Sequence, residues 1–315
     1  MDIQWYPGHM TKARRQMQED MKLIDIVIEI LDARAPLSSR NPDINKIAGS
    51  KKRLVILNKA DMADKNATKQ WKRYYEARGI FAEAVDARSK TALSSITPTI
   101  MKACAEKLER DKKRGIMNRP LRAMVVGIPN SGKSTLINTY AGKAAAKTGN
   151  KPGVTKGKQW IRLNKQIELL DTPGILWPKF EDPDVGKKLA MVGSVKDELL
   201  NIPVLACELL KLLLRLYPGT VSERYGTDEA KYSEMLTPER SSAFAEILCD
   251  IAVARNCKLK GDEPDTDKAA KLVLDDFRSG RLGRLTLELP ERESEEAENK
   301  TIKEDQTPET MPAAH

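Results

Sequence analysis

The order of two short motifs constrains this chain more than any other feature. Asn58, Lys59, Ala60 and Asp61 spell Asn-Lys-x-Asp and stand upstream of Gly-x-x-x-x-Gly-Lys-Ser at residues 127–134. Each motif follows a short apolar run, at residues 54–57 and 123–126. A glycine-rich loop between a strand and a helix gathers backbone N–H groups around phosphate. An aspartate held beside it can accept two hydrogen bonds from the edge of a guanine ring. In the usual arrangement the phosphate loop comes first and the base-reading element follows. The reverse order builds the same site only if the domain is circularly permuted, so the chain is predicted to be a permuted P-loop domain.

Composition sets the outer limits. The chain has 315 residues, of which 40% are hydrophobic, enough for about two domains with cores of their own. No run approaches the roughly 18 apolar residues of a membrane span, and the start of the chain lacks the apolar core of a signal peptide. A cytoplasmic monomer that does not engage a membrane is the expectation. Cys104, Cys207, Cys249 and Cys257 lack metal-ligand spacing and read as small buried hydrophobes in a reducing compartment. The formal charge is +9, but residues 286–315 hold nine acidic and three basic side chains, which leaves +15 on residues 1–285. Such a body is drawn to polyanions, RNA above all; a solvated lysine-rich surface is the plainer alternative. The acidic stretch at 290–315 is poor in apolar residues and is expected to be disordered.

Strand-like runs recur at 26–31, 54–57, 80–85, 123–126, 160–163 and 167–170, with helix-like stretches such as 67–78 and 93–110 between several of them. That alternation predicts an α/β fold with a mostly parallel sheet over residues 14–178, after an N-terminal segment at 1–13. Motifs at strand C-termini then collect on one sheet edge. Beyond residue 178 the pattern turns helical. Residues 202–216 form a strongly apolar stretch with Asn201 as cap, Pro203 in the first turn and Pro218-Gly219 as the stop. Residues 241–254 and 267–277 also read as helices, so an α-helical C-terminal domain is expected over 185–285.

Chemistry can be assigned to the loop residues one by one. Backbone N–H groups of Asn130, Ser131, Gly132, Lys133, Ser134 and Thr135 are positioned to wrap phosphate oxygens. Lys133 neutralises the β- and γ-phosphates, and Ser134 ligates magnesium. Asp171 ends a later apolar run and opens Asp171-Thr172-Pro173-Gly174. It holds magnesium through water, while the Gly174 amide meets the γ-phosphate. Thr155, in the basic loop at 151–156, fits the switch threonine that completes the magnesium shell only when triphosphate is bound. Asn58 and Asp61 select guanine, because a mismatched base leaves a buried carboxylate unpaired. Lys59 lies along the base plane, and a backbone amide of Asp86-Ala87 meets the guanine O6.

With these residues in place, the chain resembles the circularly permuted GTPases, and within them the ribosome biogenesis GTPase A (YlqF) family. The likeness includes Trp5-Tyr6-Pro7-Gly8-His9-Met10, Asp32-Ala33-Arg34-x-Pro36, Asn58 to Asp61, residues 127–135, Pro152-Gly153-Val154-Thr155 and residues 171–174. It extends to about residue 290. The resemblance implies a cytoplasmic enzyme that hydrolyses GTP and binds the large ribosomal subunit late in its assembly, with the helical domain contacting ribosomal RNA. Related potassium-stimulated GTPases hold a monovalent cation through an asparagine at the position of Asn130, so potassium joins magnesium as an expected cofactor.

Ile175 follows Gly174 where many GTPases carry a water-orienting glutamine. His9 is the candidate to replace it as a catalytic group, since imidazole can orient water or take a proton near neutral pH. Contact with RNA, or packing beside Trp5 and Tyr6, is the alternative role for His9. Two other readings of the chain remain open: an RNA-binding scaffold in which GTP is structural, and a small-molecule kinase. Asn58 to Asp61 argue against the kinase, because such enzymes mostly take ATP.

Overall fold

A computed structural model describes residues 15–116, 119–142, 159–172, 182–233 and 243–290. His9, Thr155, Gly174, Ile175 and the acidic stretch from residue 291 lie outside the described residues. Six strands form one sheet in the spatial order β3-β2-β1-β4-β6-β5. They are β1 (Ile26–Asp32), β2 (Lys52–Asn58), β3 (Phe81–Val85), β4 (Leu121–Gly127), β5 (Gln159–Arg162) and β6 (Ile167–Asp171). All neighbours pair in parallel except β5 with β6. The central strand β1 is buried along its whole length, as a strand covered by helices on both faces must be.

On one face the core joins Ile26, Ile28 and Ile30 to Ile96 and Ile100 of α3 (Ile96–Ala103) and to Leu136 and Ile137 of α5 (Lys133–Ala141). On the other, α1 (Asp43–Ala48) covers Val27 and Met124, and α2 (Lys65–Ala77) lays Trp71 and Tyr75 on Leu31, Val55 and Leu57. The helix-like stretch at 93–110 is interrupted in the structure. It breaks at Cys104 between α3 and α4 (Ala105–Lys113). The two halves differ in burial: α3 buries Ile96, Ile100 and Ala103, while α4 has no fully buried residue and packs Leu108 against the same core.

Permutation shows in the topology. β1, β2 and β3 come first in the chain, yet β4 pairs with β1 at the centre of the sheet. Because these four strands and β6 run parallel, Asn58, Val85, Gly127 and Asp171 all end strands on the same edge.

The C-terminal part contains α6 (Pro183–Met191), α7 (Ile202–Leu216), α8 (Thr220–Tyr225), α9 (Ala243–Ala254) and α10 (Thr266–Arg278). Asn201 caps α7 by accepting from the Val204 amide at 3.1 Å. Leu205, Leu209, Leu210 and Leu213 pack with Ile251, Val273 and Phe277, and Ala35 and Ile128 of the sheet-bearing part belong to the same cluster. Each such fully buried Leu or Ile contributes roughly 1.5–3 kcal/mol.

Beyond α10 the chain returns to the sheet. Leu285 N donates to Met62 O at 3.0 Å, and Leu287 N to Arg34 O at 2.7 Å. Trp71 Nε1 donates to Glu288 O at 3.0 Å. The Glu288 carboxylate accepts from Leu37 N, and from Ser38 N and Oγ at 2.8 Å each. Residues 286–288, just ahead of the acidic stretch, are therefore buried structure.

Candidate guanine-nucleotide site

Two glycines of the phosphate loop are required by close approach. A Cβ on Gly127 would lie 2.7 Å from Ile30 O, and one on Gly132 would lie 2.1 Å from Asn58 Nδ2. Gly132 also has φ +90° and leads into α5, whose first-turn N–H groups have no intrahelical acceptor. Asn130 (φ 59°) and Lys59 (φ 60°) adopt the left-handed backbone region despite their side chains. Such conformations concentrate at functional sites. The Ser131 Oγ is buried without a hydrogen-bond partner among the described residues, so a polar ligand group fits beside it.

Asn58 ties three loops together. Its Nδ2 donates to Ser131 O at 2.7 Å, and its Oδ1 accepts from Ala87 N at 2.9 Å. This buried side chain therefore braces the site. The Ala87 N–H is directed at Asn58, which differs from the expected contact with a base. Ala60 N donates to Val85 O at 3.1 Å, closing the base-reading loop onto β3.

Asp61 offers a carboxylate suited to guanine. Its Oδ1 is buried and unpartnered, while Oδ2 accepts from Arg88 at 2.6 Å. Arg88 also grips Asp86 through Nε at 2.9 Å and NH2 at 3.0 Å. These hydrogen bonds hold the Asp86 carboxyl below its ordinary range. Asp86 thus serves to orient Arg88 beside Asp61.

At the phosphate end, Lys133 Nζ contacts Asp171 Oδ1 at 2.7 Å, and both side chains are nearly fully buried. With a magnesium–triphosphate bound, Lys133 would hold phosphate oxygens and Asp171 would face the metal. Magnesium suits Ser134 and Asp171, because it takes few protein ligands and completes its shell with phosphate and water. No group of three or more His, Cys, Asp or Glu forms a metal cage among the described residues.

Three site residues carried no sequence-derived role: Asp32, Arg34 and Arg88. Lys59 Nζ reaches Asp32 Oδ2 at 2.7 Å. Arg34 holds the same carboxylate with Nε at 2.9 Å and NH2 at 2.8 Å. Its NH1 donates to Phe277 O and Arg278 O, each at 3.2 Å, at the end of α10. Burial alone would raise the Asp32 carboxyl, but Arg34 and Lys59 outweigh it and hold it far below the usual range. Burial is also the main reason the Lys59 ammonium is lowered. The base-reading loop is thus connected to the helical part through one shared carboxylate. A second link runs from the phosphate loop, where Asn130 Nδ2 donates to Gly193 O at 2.7 Å. The sequence signal for the first link was Asp32-Ala33-Arg34 itself, a charged pair directly after a run that is apolar except for Glu29.

Residues 122–236 match the family described as "50S ribosome-binding GTPase". A ribosome biogenesis GTPase A of Bacillus cereus is 48% identical over 299 residues, covering 95% of this chain and 98% of that protein. The GDP-bound YlqF of TM has a TM-score of 0.62 at 26% identity, covering 88% of this chain and 100% of the other. GNP-bound YlqF from Thermotoga maritima has a TM-score of 0.61 at 28% identity, covering 89% and 99%. With base-reading and phosphate loops converging in permuted order, and that likeness running nearly end to end, the chain belongs to the ribosome biogenesis GTPase A (YlqF) family of P-loop GTPases.

Proposed function

We propose that this GTPase docks on the large ribosomal subunit and its rRNA with GTP bound, during late assembly, and leaves after hydrolysis to GDP and phosphate. The observation that carries this reading is the double link between the nucleotide loops and the helical part, through Arg34 and Asn130. A ligand that moves either loop changes contacts that hold the helices, which is what a nucleotide-controlled docking state needs. No helix among the described residues is long and apolar enough to cross a membrane.

Cosedimentation with purified large subunits tests the proposal. Binding with a non-hydrolysable GTP analogue is expected to be about 5–150-fold tighter than with GDP, the usual range of coupling between two sites. Equal binding in both nucleotides removes the switch. Turnover that subunits fail to stimulate favours the scaffold reading instead.

Magnesium at Ser134, Asp171 and Thr155, and potassium at Asn130, complete the proposed site. Asn130 is already joined to Gly193, so cation binding and helical docking share one side chain. Hydrolysis is expected to run faster in potassium than in sodium at equal ionic strength. Steady-state rates of Asn130→Ala in the two salts are expected to become equal; an unchanged ratio places the ion elsewhere.

A further inference from the structure

Charge is divided unevenly between the two parts of the chain. Residues 1–181 hold 35 Lys and Arg against 18 Asp and Glu, whereas residues 182–290 hold 16 against 19. A helical part with net charge −3 is a poor attractor for a phosphate backbone, and a GTPase part at +17 is a strong one. The question is then where on the GTPase part those cations are available.

They gather on the sheet edge opposite the nucleotide loops, where the parallel strands begin. Lys52 pairs with Glu106 at 3.0 Å and Lys107 with Asp25 at 3.6 Å, which holds α4 against the starts of β2 and β1. Leu121 N donates to Gln166 O at 2.7 Å, bringing the β5–β6 turn to the start of β4. These contacts also occupy four of the carboxylates near this edge. Asp25 and Asp111 face Lys107, Glu106 faces Lys52, and Glu168 faces Arg122 at 3.7 Å. Outside them stand Arg110, Lys112, Lys113, Arg114, Arg119 and Lys165, all exposed, none ion-paired among the described residues. Glu109 on α4 is the nearby exposed acid without such a partner.

We infer that this edge, centred on the end of α4, is an RNA-binding surface that grips the ribose-phosphate backbone. It rests on the ribosomal reading above and places the contact on the GTPase part, where the helical domain was the expectation from family likeness. A solvated charged face does not by itself bind anything; here inner cations neutralise the local acids and leave an outer row facing solvent. Trp160, 39% exposed on the outermost strand, has the Arg122 guanidinium 5.2 Å from its ring centroid. An exposed aromatic beside arginine is a stacking platform for an unpaired base, which selects RNA over other polyanions.

The test uses the full chain with Lys112→Glu, Lys113→Glu and Arg114→Glu combined, against a control combining Lys258→Glu, Lys260→Glu and Lys268→Glu on the helical part. Binding to large subunits with a GTP analogue is followed across a salt series. The first variant is expected to bind at least about 10-fold more weakly, with a slope of log affinity against log salt smaller by about 2–3, since each lost phosphate contact removes about 0.7–0.9. Its GDP affinity and melting temperature stay at the wild-type values, and the control stays within about twofold of wild-type binding. Wild-type affinity and slope in the first variant overturn the proposal, as does a loss confined to the control. If the wild-type protein itself does not sediment with subunits, the ribosomal reading fails. The same two variants on a purified rRNA transcript then decide the surface alone.

Discussion

Asp61→Asn is expected to weaken GDP binding by about 10²–10³-fold and to create affinity for xanthosine diphosphate. The carboxylate has one buried, unpartnered oxygen and one oxygen shared with Arg88. Guanine presents two adjacent donors, N1–H and the exocyclic amine, to such a group. Hydrogen bonds to a charged acceptor contribute about 1.5–3 kcal/mol each, and mispaired buried groups add their desolvation cost. An amide in place of the carboxylate turns one acceptor into a donor, which clashes with the guanine amine and suits the xanthine oxygen. Competition between guanosine and xanthosine diphosphates for a fluorescent nucleotide reads the switch directly. Retained guanine selectivity would sink the assignment of Asp61 as the base-reading group.

Arg34→Ala is expected to destabilise the protein by about 3–5 kcal/mol, the usual cost of removing one partner from a buried charge cluster. Arg34 is 1% exposed. Its removal leaves Asp32 with Lys59 and the backbone N–H of residue 34, strips two hydrogen bonds from the Phe277 and Arg278 carbonyls, and vacates the face of the Phe277 ring, now 5.1 Å from the guanidinium carbon. Arg34→Lys keeps the charge but not the planar fork, so it recovers only part of the loss. Because the Asp32 carboxylate that holds Lys59 loses its two-pronged clamp, GDP affinity falls together with stability. Chemical denaturation gives the first quantity and nucleotide titration the second. A variant as stable as wild type would show that the shared carboxylate holds nothing together.

Asp32 contributes to the pH dependence with a sign opposite to that of Glu29, whose carboxyl is raised by burial. The folded-state pKa of Asp32 lies below the unfolded value, so its contribution is present above the unfolded carboxylate range. That contribution is lost as pH falls through the depressed value. Arg34→Ala removes the main opposing charge and so moves acid unfolding to higher pH.

Much of the nucleotide edge was legible in the chain because its requirements are local. A loop that wraps phosphate needs glycines where a Cβ would strike Ile30 or Asn58, a lysine at the helix start, and apolar runs that end in the right places. The six strands followed from runs of β-type residues, and α7 from its Asn201 cap and its proline. The permuted order was likewise a fact of sequence alone.

Tertiary structure decided what lies across from what. Arg34 meets the end of α10 across 243 and 244 positions, and Glu288 meets Ser38 across 250. No periodicity carries information about partners so far apart. That Asn58 also braces the site, with Ser131 and Ala87 at its two side-chain atoms, came only from the fold. The net charge was countable from the chain, but which cations remain unpaired depended on Lys107 and Lys52 finding Asp25 and Glu106. Local chemistry determines which loops this chain can make, and only packing determines which of its charges neutralise one another and which are left to face a partner.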